Sequence, residues 1–180
     1  MTHDAHGPKD RYFIPLRIAV LTVSDSRTEE TDGSGKILVE RLTEKGHHLA
    51  EKRIAPDDIY EIRAIVSRWI AASDVQVIIA TGGTGLTSRD GTPEAVTPLL
   101  DKEIEGFGEM FRTISFQEIG TATLQSRALA GVANGTYLFC LPGSSGACKT
   151  GWDNLIEAQL DYRTRPCNLA ELMPQLLKTT

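Results

Sequence analysis

Three short apolar runs, each released into a glycine- or serine-containing loop, limit most strongly how this chain can fold. They are RIAVLTVS (Arg17–Ser24), VQVIIA (Val75–Ala80) and the centre of GTYLFCLPGSSG (Gly135–Gly146). Such compact apolar runs, rich in β-branched and aromatic residues, read as buried strands. Helical patterns separate them. Ile37, Leu38 and Leu42 point one way before Gly46, a residue suited to a left-handed helix end. HLAEKRIA (His48–Ala55) alternates like an exposed or edge strand. After Pro56, Ile59, Ile62, Val66, Trp69 and Ile70 recur on one helical face. Thr92-Pro93 reads as a cap followed by proline at the first helical position. Gly106–Gly120 reads as a further helix, and a last one runs from about Ala147 to Tyr162 with Trp152, Leu155, Ile156 and Leu160. Strands alternating with helices predict an α/β protein with a mostly parallel sheet covered on both faces. With 180 residues and no repeat or linker, residues 15–180 form one domain behind a flexible polar leader, residues 1–14.

Composition removes several classes of function. The formal net charge is −5 and no long basic run occurs, which argues against nucleic-acid binding through phosphate neutralisation. No apolar run approaches the roughly 18 residues of a membrane span, and the amino terminus lacks a signal-peptide core. The expected location is the cytoplasm. Cys140, Cys148 and Cys167 are odd in number and lack CxxC spacing, so they read as reduced thiols. His3 and His6 belong to the leader and carry no metal role. His47 and His48, after the helix-ending Gly46, read as solvated.

In α/β sheets, ligands bind beyond the carboxyl ends of the strands. That brings the loops Ser24–Gly35, Thr81–Thr92 and Leu141–Gly146 together as candidates. TGGTG has the wrong spacing for GxGxxG. GSSGACKT misses the phosphate loop because Cys148 stands where the last glycine belongs, and no apolar strand ending in Asp follows Thr150. Lys149 then reads as an exposed helix lysine, with reach to a phosphate as the lesser alternative. Gly82, Gly83 and Gly85 let a backbone approach a ligand and turn N–H groups inward, with Thr84 adding a hydroxyl. Pro142, Gly143 and Ser144 form the second cradle, at a helix start that either attracts an anion or is simply capped by Ser144. Asp90 has two open readings: it recruits Mg²⁺ between protein and phosphate, or it closes an Asx-turn or an ion pair with Arg89. Asp58 with Glu61 fits a capping box. That leaves Asp57 without an evident structural duty, unless Asp57 is itself the cap. Glu109 and Arg112 can pair locally on their helix, and Arg127 either meets a phosphate or, as the plainer reading, makes a surface salt bridge.

TGGTG with RDGTPE, then EGFGEMFR, SRALAG and LPGS, in that order, resembles the MoaB/MogA family of molybdenum-cofactor biosynthesis proteins. LQSRALAGVANGT and TRPCN are similar to its MoaB branch. The resemblance covers about Leu16 to the last helix. It implies a three-layer α/β/α sandwich assembled as a homotrimer or hexamer, and binding of molybdopterin, a pterin dithiolene with a terminal phosphate. Active members transfer AMP from MgATP to that phosphate, releasing pyrophosphate. Carried onto this chain, Asp57 and Asp90 become the catalytic, Mg²⁺-holding carboxylates. Thr84, Ser126 and Ser144 become substrate contacts beside Ser24, the three loop glycines, Pro142 and Gly143. The attacking phosphate is already an anion, so alignment and charge neutralisation matter more than a strong base. Ser145 and Gly146 replace the PGxP-basic continuation of many adenylylating relatives, whereas Arg89, Asp90, Thr92 and Pro93 keep the RDxTP element intact. A non-catalytic, oligomeric molybdopterin-binding accessory protein is the alternative expectation.

Overall fold

The computed structural model describes residues 11–176, so His3 and His6 lie outside the described residues. Six strands form one sheet in the order β2-β1-β3-β6-β5-β4. They are β1 (Arg17–Val23), β2 (His48–Ala55), β3 (Val77–Thr81), β4 (Lys102–Glu103), β5 (Leu129–Ala133) and β6 (Thr136–Leu141). β2, β1, β3 and β6 run parallel, while β5 and β4 are antiparallel additions. β2 lies at one edge, as its alternating pattern predicts.

The period of two along each strand divides the interior into two cores. Ile18, Val20, Val77, Ile79, Tyr137, Phe139 and Leu141 face one side. There they meet Leu38 and Leu42 of α1 (Gly33–Lys45), Phe107 and Phe111 of α4 (Glu105–Ile119), and Cys148 of α5 (Ser145–Gly151). Ala19, Leu21, Val23, Ile78, Ala80, Leu138 and Cys140 face the other side, against Ile62, Ile65, Val66 and Trp69 of α2 (Ile59–Ala71). Helices thus cover both faces in three layers. The chain leaves β1 toward β2 on one side and leaves β3 toward β6 on the other, so the connections part between β1 and β3, and the crevice opens at the carboxyl ends of β1, β3 and β6.

Capping follows residue chemistry. Asp32 closes α1 by accepting from the Gly35 N–H at 2.9 Å, and Gly46 ends that helix at φ 99°. Asp58 accepts from the N–H groups of Tyr60 and Glu61 and caps α2. Thr92 differs from its expected role. It begins α3 (Thr92–Val96) without capping it, and its hydroxyl donates to the Gly82 carbonyl at 2.8 Å. The last helix is not regular either: a π turn, Trp152–Ile156, follows α5 and precedes α6 (Glu157–Gln159).

His47 is buried rather than solvated. Its Nδ1 accepts from the Leu16 N–H at 3.1 Å, and the ring packs against Phe13 and Trp152. Burial pushes its pKa down to about 4, so the imidazole stays neutral. His48 is exposed. Of the leader, Arg11 pairs with Glu171 at 2.8 Å and lies over the Tyr162 ring. Cys140 and Cys148 are buried thiols, Cys167 is an exposed one, and none is bridged.

Candidate functional site

A cavity of about 660 Å³ opens where the three parallel strands end. Its walls include Ser24, Asp57, Gly82, Gly83, Thr84, Gly85, Asp90, Ser126, Pro142, Gly143 and Ser144, so every site residue expected from sequence reaches one cavity. The loops are tied to one another by backbone as well as side chains. Ser24 N–H donates to the Ala55 carbonyl, Gly82 N–H to that of Leu141, and Thr92 N–H to that of Gly83. The hydroxyl of Ser24 accepts from the Ser26 and Arg27 N–H groups and shapes the β1 loop.

The glycine loop needs glycine for two separate reasons. Gly82 and Gly83 adopt φ of 101° and 67°, the left-handed region. A methyl group on Gly83 would also come within 2.8 Å of Asp57 Oδ2. Bare backbone therefore lies directly beside a carboxylate in the cleft.

Asp57 has a clear place: its Oδ1 accepts from the Gly91 N–H at 3.1 Å, while its own N–H donates to Asp25 Oδ1. Because Asp58 caps α2, Asp57 is left to face the cavity. Burial raises its pKa above the usual aspartate value, and the charges of Asp90 and Asp25 add to this against the Gly91 bond. Asp90 is held differently. Its Oδ2 accepts from both the hydroxyl and the N–H of Thr87, at 2.6 and 2.8 Å, which keeps its pKa low. Arg89 leaves Asp90 alone and forms a bidentate pair with Asp25 at 2.7 and 2.9 Å. The structural reading of Asp90 as an Asx-turn or an Arg89 pair is not what is seen, since its carboxylate bonds back to Thr87 three residues earlier. The carboxylate still lines the cavity.

Ser144 accepts from the Ala147 N–H at 3.1 Å and so caps α5. Ser126 is the opposite case: its hydroxyl oxygen is buried at the cavity wall without a hydrogen-bond partner. A buried, unsatisfied hydroxyl in a cleft is costly unless a ligand completes it. Arg112 donates to the Ala128 carbonyl at 3.0 Å, a tertiary contact in place of the local Glu109 pair expected. Arg127 does pair with Glu94, as expected. Asp25, Arg27, Ser115 and Glu118 also line the cavity and were not singled out from sequence. Asp25 lies in a loop already marked as a candidate, one residue after Ser24. The α4 residues reach the site only because that helix packs beside α5.

Two carboxylates from separate loops, backbone exposed by glycine and an unsatisfied hydroxyl define a polar strand-end pocket in an open α/β sheet. Residues 19–162 match the family model described as "Probable molybdopterin binding domain". The chain is 61% identical over 156 residues to molybdenum cofactor biosynthesis protein B of Escherichia coli strain K12, covering 87% of this chain and 92% of that protein. It is 44% identical over 163 residues to the protein of the same name from Bacillus cereus, covering 90% and 94%. A crystal structure of a molybdenum cofactor biosynthesis protein B superposes with a TM-score of 0.82 at 42% identity, covering 91% of this chain and 96% of that one. A tungsten cofactor synthesizing protein MoaB from Pyrococcus furiosus gives 0.71 at 40% identity, covering 79% and 91%. The chain belongs to the MoaB/MogA family of molybdenum-cofactor biosynthesis proteins.

Proposed function

We propose that this protein binds molybdopterin in the strand-end cleft and transfers AMP from MgATP to its terminal phosphate, giving adenylyl-molybdopterin and pyrophosphate. The observation that carries the reading is the pairing of Asp57 and Asp90 beside glycine backbone in one cleft. Two acidic groups oppose a polyphosphate unless a divalent cation joins them. Among the described residues no three His, Cys, Asp or Glu side chains gather as a metal site of their own. Two carboxylates completed by substrate phosphates fit Mg²⁺, which binds in that manner in nucleotide sites. Asp57 and Asp90 would hold the ion, which would supply charge neutralisation at the reacting phosphates.

The remaining work falls to the chain itself. Gly82, Gly83 and Gly85 admit the phosphate chain close to the backbone, and Ser126 offers its free hydroxyl. Thr87 keeps Asp90 ionised and oriented before any ligand arrives. The acceptor phosphate attacks the α-phosphorus as an anion, so the side chains need to align two anions and remove no proton. We assign a cytoplasmic location from the unbridged thiols and a homotrimer or hexamer from the family resemblance. No helix among the described residues is long and apolar enough to cross a membrane.

Purified protein given molybdopterin and MgATP is expected to release pyrophosphate in step with adenylyl-molybdopterin. Asp90→Asn should lower that rate by about 100-fold or more while leaving the melting midpoint nearly unchanged, because this loop carboxylate supports no core. Saturable pterin binding without pyrophosphate release would replace the transferase with a non-catalytic accessory protein. That reading draws on Ser144, whose hydroxyl is committed to capping α5, and on Ser145–Gly146 beside it.

A further inference from the structure

Arg127 is a cation beside a cleft read as a polyphosphate site, yet four of its five N–H donors are committed to the protein itself. Its Nε donates to the carbonyls of Gly85 at 2.9 Å and Thr84 at 3.2 Å. One terminal nitrogen donates to the Asp90 carbonyl at 3.2 Å and to Glu94 Oε2 at 3.3 Å, and the other donates to Glu94 Oε1. One guanidinium therefore gathers three carbonyls of the glycine loop and the carboxylate in the first turn of α3.

The preceding residue points the other way. Ser126 is extended, with φ −84° and ψ 114°, and in extended chain consecutive side chains leave opposite faces. Ser126 lines the cavity while Arg127 clasps the glycine loop. The carbonyls Arg127 collects are oxygens that would otherwise be free to turn toward an anion and repel it. Tying them back fixes the peptide planes on which the loop N–H groups and Asp90 are carried. A planar five-donor fork can do this, whereas a lysine ammonium has three donors and no fixed plane.

We propose that Arg127 is the positioning residue of this site: through the carbonyls of Thr84, Gly85 and Asp90 it presets the glycine loop for an anionic ligand, with Glu94 as its fixed counter-ion. The assignment deepens the phosphate-binding reading of the cleft. It predicts that loop order is present without ligand and depends on the fork rather than on the charge.

The test compares Arg127→Lys, Arg127→Ala and Glu94→Gln with the unaltered protein in two measurements. Amide hydrogen exchange without ligand should quicken by about tenfold or more at residues 83–91 in Arg127→Lys, with β1, β3 and β6 unchanged. Glu94→Gln, which keeps the carbonyl bonds, should have a smaller effect. Turnover should fall about 10- to 100-fold in kcat for Arg127→Lys with a lesser change in KM, because misplaced loop groups harm alignment more than capture. Loop exchange equal to that of the unaltered protein overturns the proposal. So does exchange that quickens uniformly across the sheet, since that marks a merely structural arginine. Should Arg127→Ala fail to fold, Arg127→Lys and Glu94→Gln still decide the matter. Absence of AMP transfer in the unaltered protein would remove the proposed reaction only, and the exchange result would stand on its own.

Discussion

At the scale of single residues, the cleft sets function against stability most visibly at Asp57. Burial and the neighbouring Asp90 and Asp25 charges raise its pKa, so the folded state holds its proton more tightly than the unfolded chain does. Its contribution to stability is therefore present below the ordinary value of about 3.9 and is lost as pH rises through the raised folded pKa. Near neutral pH the ionised group opposes folding. Asp57→Asn keeps an oxygen able to accept the Gly91 N–H and removes that charge. It should melt higher than the unaltered protein at pH 7, by a margin that closes in acid, and should lose AMP transfer. A lower midpoint at pH 7 would show that the Gly91 bond needs the carboxylate. His47 carries the complementary lesson. Two adjacent histidines after a helix-ending glycine look alike in one dimension, and only His47 meets Phe13 and Trp152.

At the scale of elements, caps and turns account for most boundaries, and Asp32 anchors the element beside the site. Its carboxylate is buried between the Gly35 N–H, the Thr22 hydroxyl and Lys52 Nζ, the last at 2.9 Å. Burial alone would raise its pKa, but these three partners together lower it. Asp32 thus stabilises the fold above the unfolded value, and that stability is lost as pH falls through the lower folded pKa. Asp32→Ala should cost about 1–2 kcal/mol in urea unfolding at pH 7 through loss of the α1 cap. The deficit should shrink in acid, where the unaltered protein loses the same stabilisation. The antiparallel hairpin of β5 and β6 shows where sequence patterning falls short. LAGVA is too short and small-residue-rich to stand out, yet Asn134-Gly135, at φ 46° and 74°, forms the two-residue turn favoured between antiparallel strands. That dipeptide was the available signal. The two residues of β4 and the π turn left none.

At the scale of the whole molecule, two cores clamp one sheet, and the cleft depends on the rigidity of its central strands. Phe139 lies on β6 against Phe107, with ring centroids 5.2 Å apart, and is almost fully buried. Phe139→Ala should destabilise the fold by about 3–5 kcal/mol, measured by denaturant titration, because a cavity replaces a ring between sheet and α4. A cost under about 1 kcal/mol would mean that the core refills. Much of the fold was legible beforehand, since buried parallel strands and one-sided helices write their period directly into the chain. β1, β2, β3 and β6 and the helices α1, α2 and α4 could be read from the chain, and the three loops that end β1, β3 and β6 could be placed at one edge. The amino-acid order by itself thus determined the α/β class, the edge position of β2 and which loops share the cleft, because local sterics and hydrophobic period set those features. Only tertiary structure decided that Arg89 pairs with Asp25, that Arg127 clasps the glycine loop, that His47 is buried and that α4 walls the cavity. These are contacts between residues far apart along the chain, chosen by packing and by the need to satisfy buried polar groups, which no local pattern records.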